Sequence, residues 1–153
     1  MPAENVKEFL NEQGVRYWTM DHPTAYTSQE VAHAAHISGK ELAKAVVVVI
    51  DGYLALAVVR AARMIDLEAL KEEVGADDIR LATEIEFHDR FPGCEIGAIP
   101  PFGSLGEMDT LMDEDVINVG DRIAFCAGTH HELTVLDFDD FEFLSEPIYV
   151  KIT

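Results

Sequence analysis

The apolar positions of the chain fall into recurring patterns, each of which predicts an element. From Ala3 to Gln13 the residues Val6, Phe9 and Leu10 are spaced three or four apart, one face of a helix, and Gly14 follows as its expected C-terminal cap. Val15 to Thr19 reads as a short strand broken by Asp21-His22-Pro23. Thr27-Ser28-Gln29-Glu30 has capping-box spacing and opens a helix with Val31, Ala32 and Ala35, closing near Ser38-Gly39. Ala43 to Ile50 and Tyr53 to Val59 are apolar at nearly every position, the pattern of strands covered on both faces. Asp51-Gly52 between them is a two-residue hairpin turn. Asp66 caps a helix with Leu67, Leu70 and Val74 inward, ended by Gly75. Thr83-Glu84-Ile85-Glu86 repeats the capping-box spacing and opens a short helix to about Phe91.

Beyond Phe91 the period is lost. Ile96 to Gly106 holds three glycines and two prolines in eleven residues, which no ordinary helix or central strand accommodates. Strands resume over about Met108–Met112, Arg122–Ala127 and Glu132–Leu136, the last two joined by Gly128-Thr129-His130-His131, and Asp139 to Leu144 forms a last helical turn. Hairpins mixed with short helices predict an α+β fold. The expectation is a single domain over residues 1–153, with a curved, mostly antiparallel (mixed) sheet flanked by helices.

Composition narrows the class. Apolar residues at 48% and charged residues at 26% exclude a disordered chain. No run approaches the roughly 18 apolar residues of a membrane span, and the first residues lack the basic start and apolar core of a signal peptide. Cys94 and Cys126 make neither a metal motif nor a disulfide framework. A reduced cytoplasm without membrane association is expected.

Charge changes the picture more. Eleven basic residues face twenty-nine acidic ones, a net charge of −18. Only Arg122 and Lys151 are basic beyond Phe91, against thirteen acids. Such a chain repels a bare phosphate backbone, so broad, salt-driven nucleic-acid binding is not expected. An anionic ligand must be met by a local cluster of the few basic residues.

Three groups are candidates for chemistry. Lys44 stands at the entrance of the valine-rich strand. It is either a lysine that snorkels its ammonium into water or a cation at the mouth of a pocket, set for a phosphate or carbonyl oxygen. Lys40, Arg60 and Arg63 are placed to join it, because the Asp51-Gly52 turn returns the second strand to the start of the first. The loop from Gly97 to Gly106 is either a stiff surface turn or a rigid frame whose N–H groups hold an oxyanion. No Gly-Lys-Ser/Thr follows it, so it is no phosphate-binding loop of that kind. His130 and His131 are adjacent and on a strand would face opposite ways, so they predict no shared metal. No Gly-x-Ser-x-Gly elbow occurs, and Cys126 sits in an apolar strand as a small core residue. Neither a metal nor a cofactor is expected.

The order of the motifs says more than any one of them. Asp21-His22-Pro23-Thr24-Ala25-Tyr26-Thr27, then Ala43-Lys44-Ala45-Val46-Val47-Val48, then Gly97-Ala98-Ile99-Pro100-Pro101-Phe102-Gly103, then Ala127-Gly128-Thr129-His130 resembles the YbaK/EbsC family, which includes the editing domain of bacterial prolyl-tRNA synthetases and its free-standing relatives. The resemblance runs from about Met20 to Phe143. It implies a trans-acting deacylase that hydrolyses the ester of a small amino acid mischarged on the tRNA 3′ end. Lys44 matches the family's essential lysine, and Gly97 and Pro101 the ends of its Gly-x-x-x-Pro loop. By the same resemblance His22, Gly97, Ala98, Ile99, Pro100, Pro101, Gly103, His130 and Asp140 are the substrate-binding candidates, with the amides of Gly97 and Ala98 expected at the oxyanion. The expected partners are the aminoacyl-tRNA 3′ end and an aminoacyl-tRNA synthetase. Two alternatives stay open: a non-catalytic module of the same fold acting through a protein partner, and a hydrolase of another small ester.

Overall fold

A computed structural model describes residues 2–21, 41–95 and 97–153, with the side chains of residues 2–5 not described. The helix expected from Thr27, along with His22 and Lys40, lies outside the described residues. In chain order the elements are α1 (Pro2–Glu12), β1 (Tyr17–Asp21), β2 (Ala43–Ile50), β3 (Tyr53–Arg60), α2 (Leu67–Val74), β4 (Ile79–Leu81), α3 (Glu84–Phe87), a 3-10 turn (Gly103–Gly106), β5 (Asp109–Asp113), a second 3-10 turn (Glu114–Val119), β6 (Arg122–Cys126), β7 (Glu132–Asp137), α4 (Phe138–Ser145) and β8 (Ile148–Val150).

The strands form two sheets where the sequence predicts one. A three-stranded antiparallel sheet runs β1-β7-β6, and a five-stranded sheet runs β4-β2-β3-β5-β8, antiparallel through β3 and parallel from β3 to β8. A parallel bridge between Leu42 and Ala124 connects them. The β2–β3 hairpin turns on Asp51 (φ +48°) and Gly52 (φ +86°), two successive left-handed residues, as the tight primed turn requires. Asp51 is held from behind, its carboxylate accepting the Asp78 N–H at 2.8 Å and the Asp77 N–H at 3.0 Å. β4 and β8 escape a sequence reading because three residues carry no measurable alternation.

Both faces of the hairpin are covered, as its unbroken apolar pattern predicts. Ala43, Ala45, Val47, Leu56 and Val58 pack with Ile123, Phe125 and Leu136 of the smaller sheet, with Phe102 and Phe141 between. The opposite face, with Val48, Ala55, Ala57 and Val59, packs with Leu70 of α2 and with Leu111, Val150 and Ile152. A third cluster, Leu42, Ala61, Ala124, Leu133 and Val135, lies on the other face of the smaller sheet.

Among the described residues, Arg60 Nε, Glu132 Oε1 and Thr134 Oγ1 are buried without a hydrogen-bond partner. Thr134 in β7 is fully buried and its Oγ1 makes no hydrogen bond among the described residues. A buried hydroxyl without a partner keeps its desolvation penalty, of order 1–3 kcal/mol. Thr134→Val, near in shape, is therefore expected to raise stability by about 1 kcal/mol, read as a higher urea midpoint at unchanged slope. A lower midpoint would show that the hydroxyl is satisfied.

Candidate active site

The Gly97–Gly106 loop is anchored in the core. Ala98 and Phe102 are fully buried, and Ile99, Pro100 and Pro101 are buried beside them. The Phe102 ring meets Phe9 at 5.4 Å, Phe125 edge-on at 5.4 Å and Phe141 at 5.6 Å between centroids. The glycines serve different ends. Gly97 alone of the three has a positive φ, +80°. Gly103 is glycine for space: a Cβ there would lie 2.5 Å from the Met108 carbonyl oxygen and 2.6 Å from Thr110 Oγ1. Its N–H donates to Thr110 Oγ1 at 2.8 Å, so the Gly103 amide is held by the packing of the loop. Ile99 and Pro100 line two clefts beside Phe91 and Cys94, of about 220 and 240 Å³.

Three hydrogen bonds clasp this loop to the β6–β7 connection, and a fourth closes the loop on itself. The Glu95 N–H donates to the Gly128 carbonyl (2.9 Å), the Gly128 N–H to the Ala98 carbonyl (2.8 Å), the Ala98 N–H to the Glu95 carbonyl (3.0 Å), and the His130 N–H to Glu95 Oε2 (3.3 Å). This corrects the oxyanion expectation in half. The Ala98 amide is spent inside the loop, whereas the Gly97 amide has no acceptor among the described residues. His130 is buried at 4% exposure, its ring 3.4 Å from where a Gly97 Cβ would sit. His131 is exposed; the two histidines lie in the bend before β7 and not on a strand, so strand alternation does not govern them. Glu95, which the sequence did not single out, joins the two segments; no spacing rule marks it, because its role exists only once they meet.

Lys44 enters from β2. It opposes Val59, while its neighbour Ala43 opposes Arg60, so Lys44 and Arg60 lie on opposite faces of the hairpin. Arg60 reaches Asp115 at 3.1 Å and Arg63 reaches the same carboxylate at 3.2 Å. The positive cluster expected around Lys44 is therefore not supplied by these arginines. Among the described residues Lys44 pairs with no carboxylate, and burial pushes its pKa below the ordinary lysine value. The parallel Leu42–Ala124 bridge sets Lys44, two residues on, level with Cys126 at the end of β6. From there the chain enters the Gly128 turn that holds Gly97 and His130.

Other candidates stand apart. Asp140 lies in α4, beyond the far end of β7 from His130; the six residues of β7 at ~3.3 Å each separate them. His22 is outside the described residues, but Asp21 before it pairs with Glu132, two residues past His130. Burial pushes both thiols up to about 11, Cys126 also through the Glu95 charge, so neither is a thiolate nucleophile at neutral pH. No three His, Cys, Asp or Glu side chains gather as a metal-ligand set among the described residues.

Gly97 admits a direct test. Its positive φ disfavours any Cβ, and an alanine methyl would lie in contact with the His130 ring. Gly97→Ala is expected to lower kcat for every substrate alike, with a melting temperature lowered by only a few degrees. Unchanged turnover would remove this amide from the site.

A half-buried lysine that pairs with no carboxylate among the described residues, without thiolate or serine triad, suits hydrolysis of an already activated ester. A family model described as the aminoacyl-tRNA editing domain matches residues 22–144. The chain belongs to that family, and its class is aminoacyl-tRNA deacylase, an ester hydrolase. It is 27% identical over 146 residues to the multifunctional Ser/Thr-tRNA deacylase ProXp-y of Escherichia coli (strain K12), covering 93% of this chain and 87% of that one. It is 24% identical over 110 residues to a proline–tRNA ligase of Bacillus mycoides (strain KBAB4), 72% of this chain but 19% of the ligase. A crystal structure described as a candidate trans-editing enzyme for prolyl tRNA synthetase shares the fold, with a TM-score of 0.85 at 22% identity over 99% of this chain and 96% of that one. No described helix is long and apolar enough to cross a membrane.

Proposed function

We propose that this chain is a free-standing editing enzyme that removes a small amino acid from mischarged tRNA, with Lys44 as the catalytic cation. The observation that carries the reading is Lys44 itself: unpaired among the described residues, half-buried, and level with the turn that presents Gly97 and His130. In a chain of net charge −18, a cation left without a carboxylate awaits an anionic ligand or a developing negative charge. The ester is cleaved by water or a substrate hydroxyl; the carbonyl oxygen, as it gains charge, is met by the Gly97 N–H and the ammonium. His22, Ile99, Pro100, Pro101 and His130 stand as the residues that shape the aminoacyl pocket. Asp140, in the first turn of α4, acts through that helix. A rigid loop selects by volume, admitting small side chains. The name of the Escherichia coli relative, a Ser/Thr-tRNA deacylase, supports small hydroxylated residues as first substrates to try.

The test is a panel of tRNAs charged with alanine, serine, threonine, cysteine and proline, each with the wild type and Lys44→Ala. Hydrolysis of one or more small residues, lost in Lys44→Ala, is expected. Absence of hydrolysis across the panel, with co-purification of a synthetase, would favour the binding-module reading, to which the acidic C-terminal half is suited.

A further inference from the structure

An aminoacyl ester carries one group that Lys44, Gly97 and His130 do not account for. Its α-carbon, next to the carbonyl, bears a free amine that is an ammonium near neutral pH. Whatever binds that ammonium must stand close to whatever meets the carbonyl oxygen. Glu95 stands there. It lies two residues before Gly97, and its Oε2 accepts the His130 N–H at 3.3 Å. The His130 ring in turn is 3.4 Å from where a Gly97 Cβ would sit. After burial, the Glu95 charge is the second cause that raises the Cys126 thiol, so the carboxylate is felt at the end of β6 as well. Glu95 is nevertheless exposed, and no lysine, arginine or histidine forms an ion pair with it among the described residues. It also lines the cleft of about 220 Å³, whose apolar wall is Phe87, Phe91, Cys94 and Ile99 and whose other carboxylate is Glu84.

We propose that Glu95 binds the α-ammonium of the aminoacyl group, so that the substrates are esters with a free amine and N-acylated or peptidyl esters are passed over. The proposal rests on the deacylase reading and names the substrate class of the same site. Charge favours it. Every other charge on an aminoacyl-tRNA is a phosphate, which a chain of net charge −18 repels, and the ammonium is the one group that such a chain attracts. Geometry favours it too. With one carboxylate oxygen anchored by the His130 amide, the other is left to accept from the ammonium. The apolar wall beside it suits a small side chain on the same α-carbon. An acyl group on the nitrogen would remove the charge and add bulk against the carboxylate.

Alanyl-tRNA and lactyl-tRNA separate charge from size, since a hydroxyl replaces the ammonium in a group of nearly the same shape. The wild type is expected to favour alanyl-tRNA, and Glu95→Gln to lose about 5- to 50-fold of that preference in kcat/KM, chiefly through KM. Glutamine keeps an acceptor for the His130 N–H, so a purely structural role would leave the ratio unchanged. Glu95→Asp, which keeps the charge, should recover part of the preference. Calorimetry makes the same comparison without chemistry, using adenosine that carries alanine or lactate on a 3′-amide. If the wild type hydrolyses alanyl-tRNA and its preference over lactyl-tRNA survives Glu95→Gln, the ammonium site is rejected while the deacylase stands. Equal binding of the two amides by the wild type rejects it as well. If the wild type hydrolyses no charged tRNA, yet binds the alanyl amide more tightly in a way that Glu95→Gln abolishes, the deacylase reading fails and the ammonium site remains.

Discussion

Lys44→Ala is expected to lower deacylation about 10²–10³-fold, the usual loss when one preorganised electrostatic contact to a developing oxyanion is removed. Its effect on stability should run the other way. Burial lowers the pKa of Lys44 in the folded protein, so the unfolded chain holds this proton more tightly. The stability linked to this group is therefore complete above the ordinary lysine value near 10.5 and falls away as pH drops through the lowered folded pKa. At neutral pH the charge is a burden on the fold, lightened because the ammonium keeps part of its hydration. Lys44→Met, which fills the same space without the charge, should be as inactive as alanine and melt at the same temperature or higher. Thermal melts and single-turnover deacylation of the two variants check both halves. A drop in melting temperature typical of core truncation, with activity per folded molecule unchanged, would make Lys44 a structural residue.

Phe102→Ala should produce the largest stability change, about 3–5 kcal/mol. The ring is fully buried and touches three others, from α1, β6 and α4, so its removal opens a cavity bordered by elements that cannot all close on it. Against a total of about 5–15 kcal/mol for a domain, that is a large share. The urea midpoint should fall sharply. Activity of the folded fraction should fall too, because Phe102 is the peg that holds the loop carrying Gly97. Phe102→Leu keeps most of the volume and should lose less than half as much of each. A stable Phe102→Ala protein with normal turnover would mean that the loop is held by its backbone clasp alone.

The elements were legible where the pattern was long. The β2–β3 hairpin, with Asp51-Gly52 at its turn and apolar residues on both faces, lies where its sequence places it, as does the helix capped by Asp66 and Gly75. The division into two sheets was not legible, since it depends on the single Leu42–Ala124 bridge between residues 82 positions apart. At the site, Lys44 and Gly97 could be singled out because a cation before an apolar strand and a glycine in a proline-rich loop are local anomalies. The partners of the Gly103 and Ala98 amides were not legible, for one reason. Whether a backbone N–H is free depends on what it meets in space, and Thr110 and the Glu95 carbonyl leave no trace in the local sequence. Arg60 misled through its position along the strand, since its side chain takes the opposite face from Lys44 and binds Asp115.

The Asp51-Gly52 turn has a remote consequence. In a ladder where alternate residues face opposite sides, the turn acts as the zero mark of a ruler. Lys44 stands seven residues, ~23 Å, from Asp51 at that mark, on the odd side of the scale. A shift of one place in the pairing would trade its seat with that of Ala43 or Ala45, burying the ammonium in the cluster that holds the aromatic rings and setting a methyl group in its place. The charge of Lys44 is thus addressed from the far end of the hairpin, by two left-handed residues at its turn.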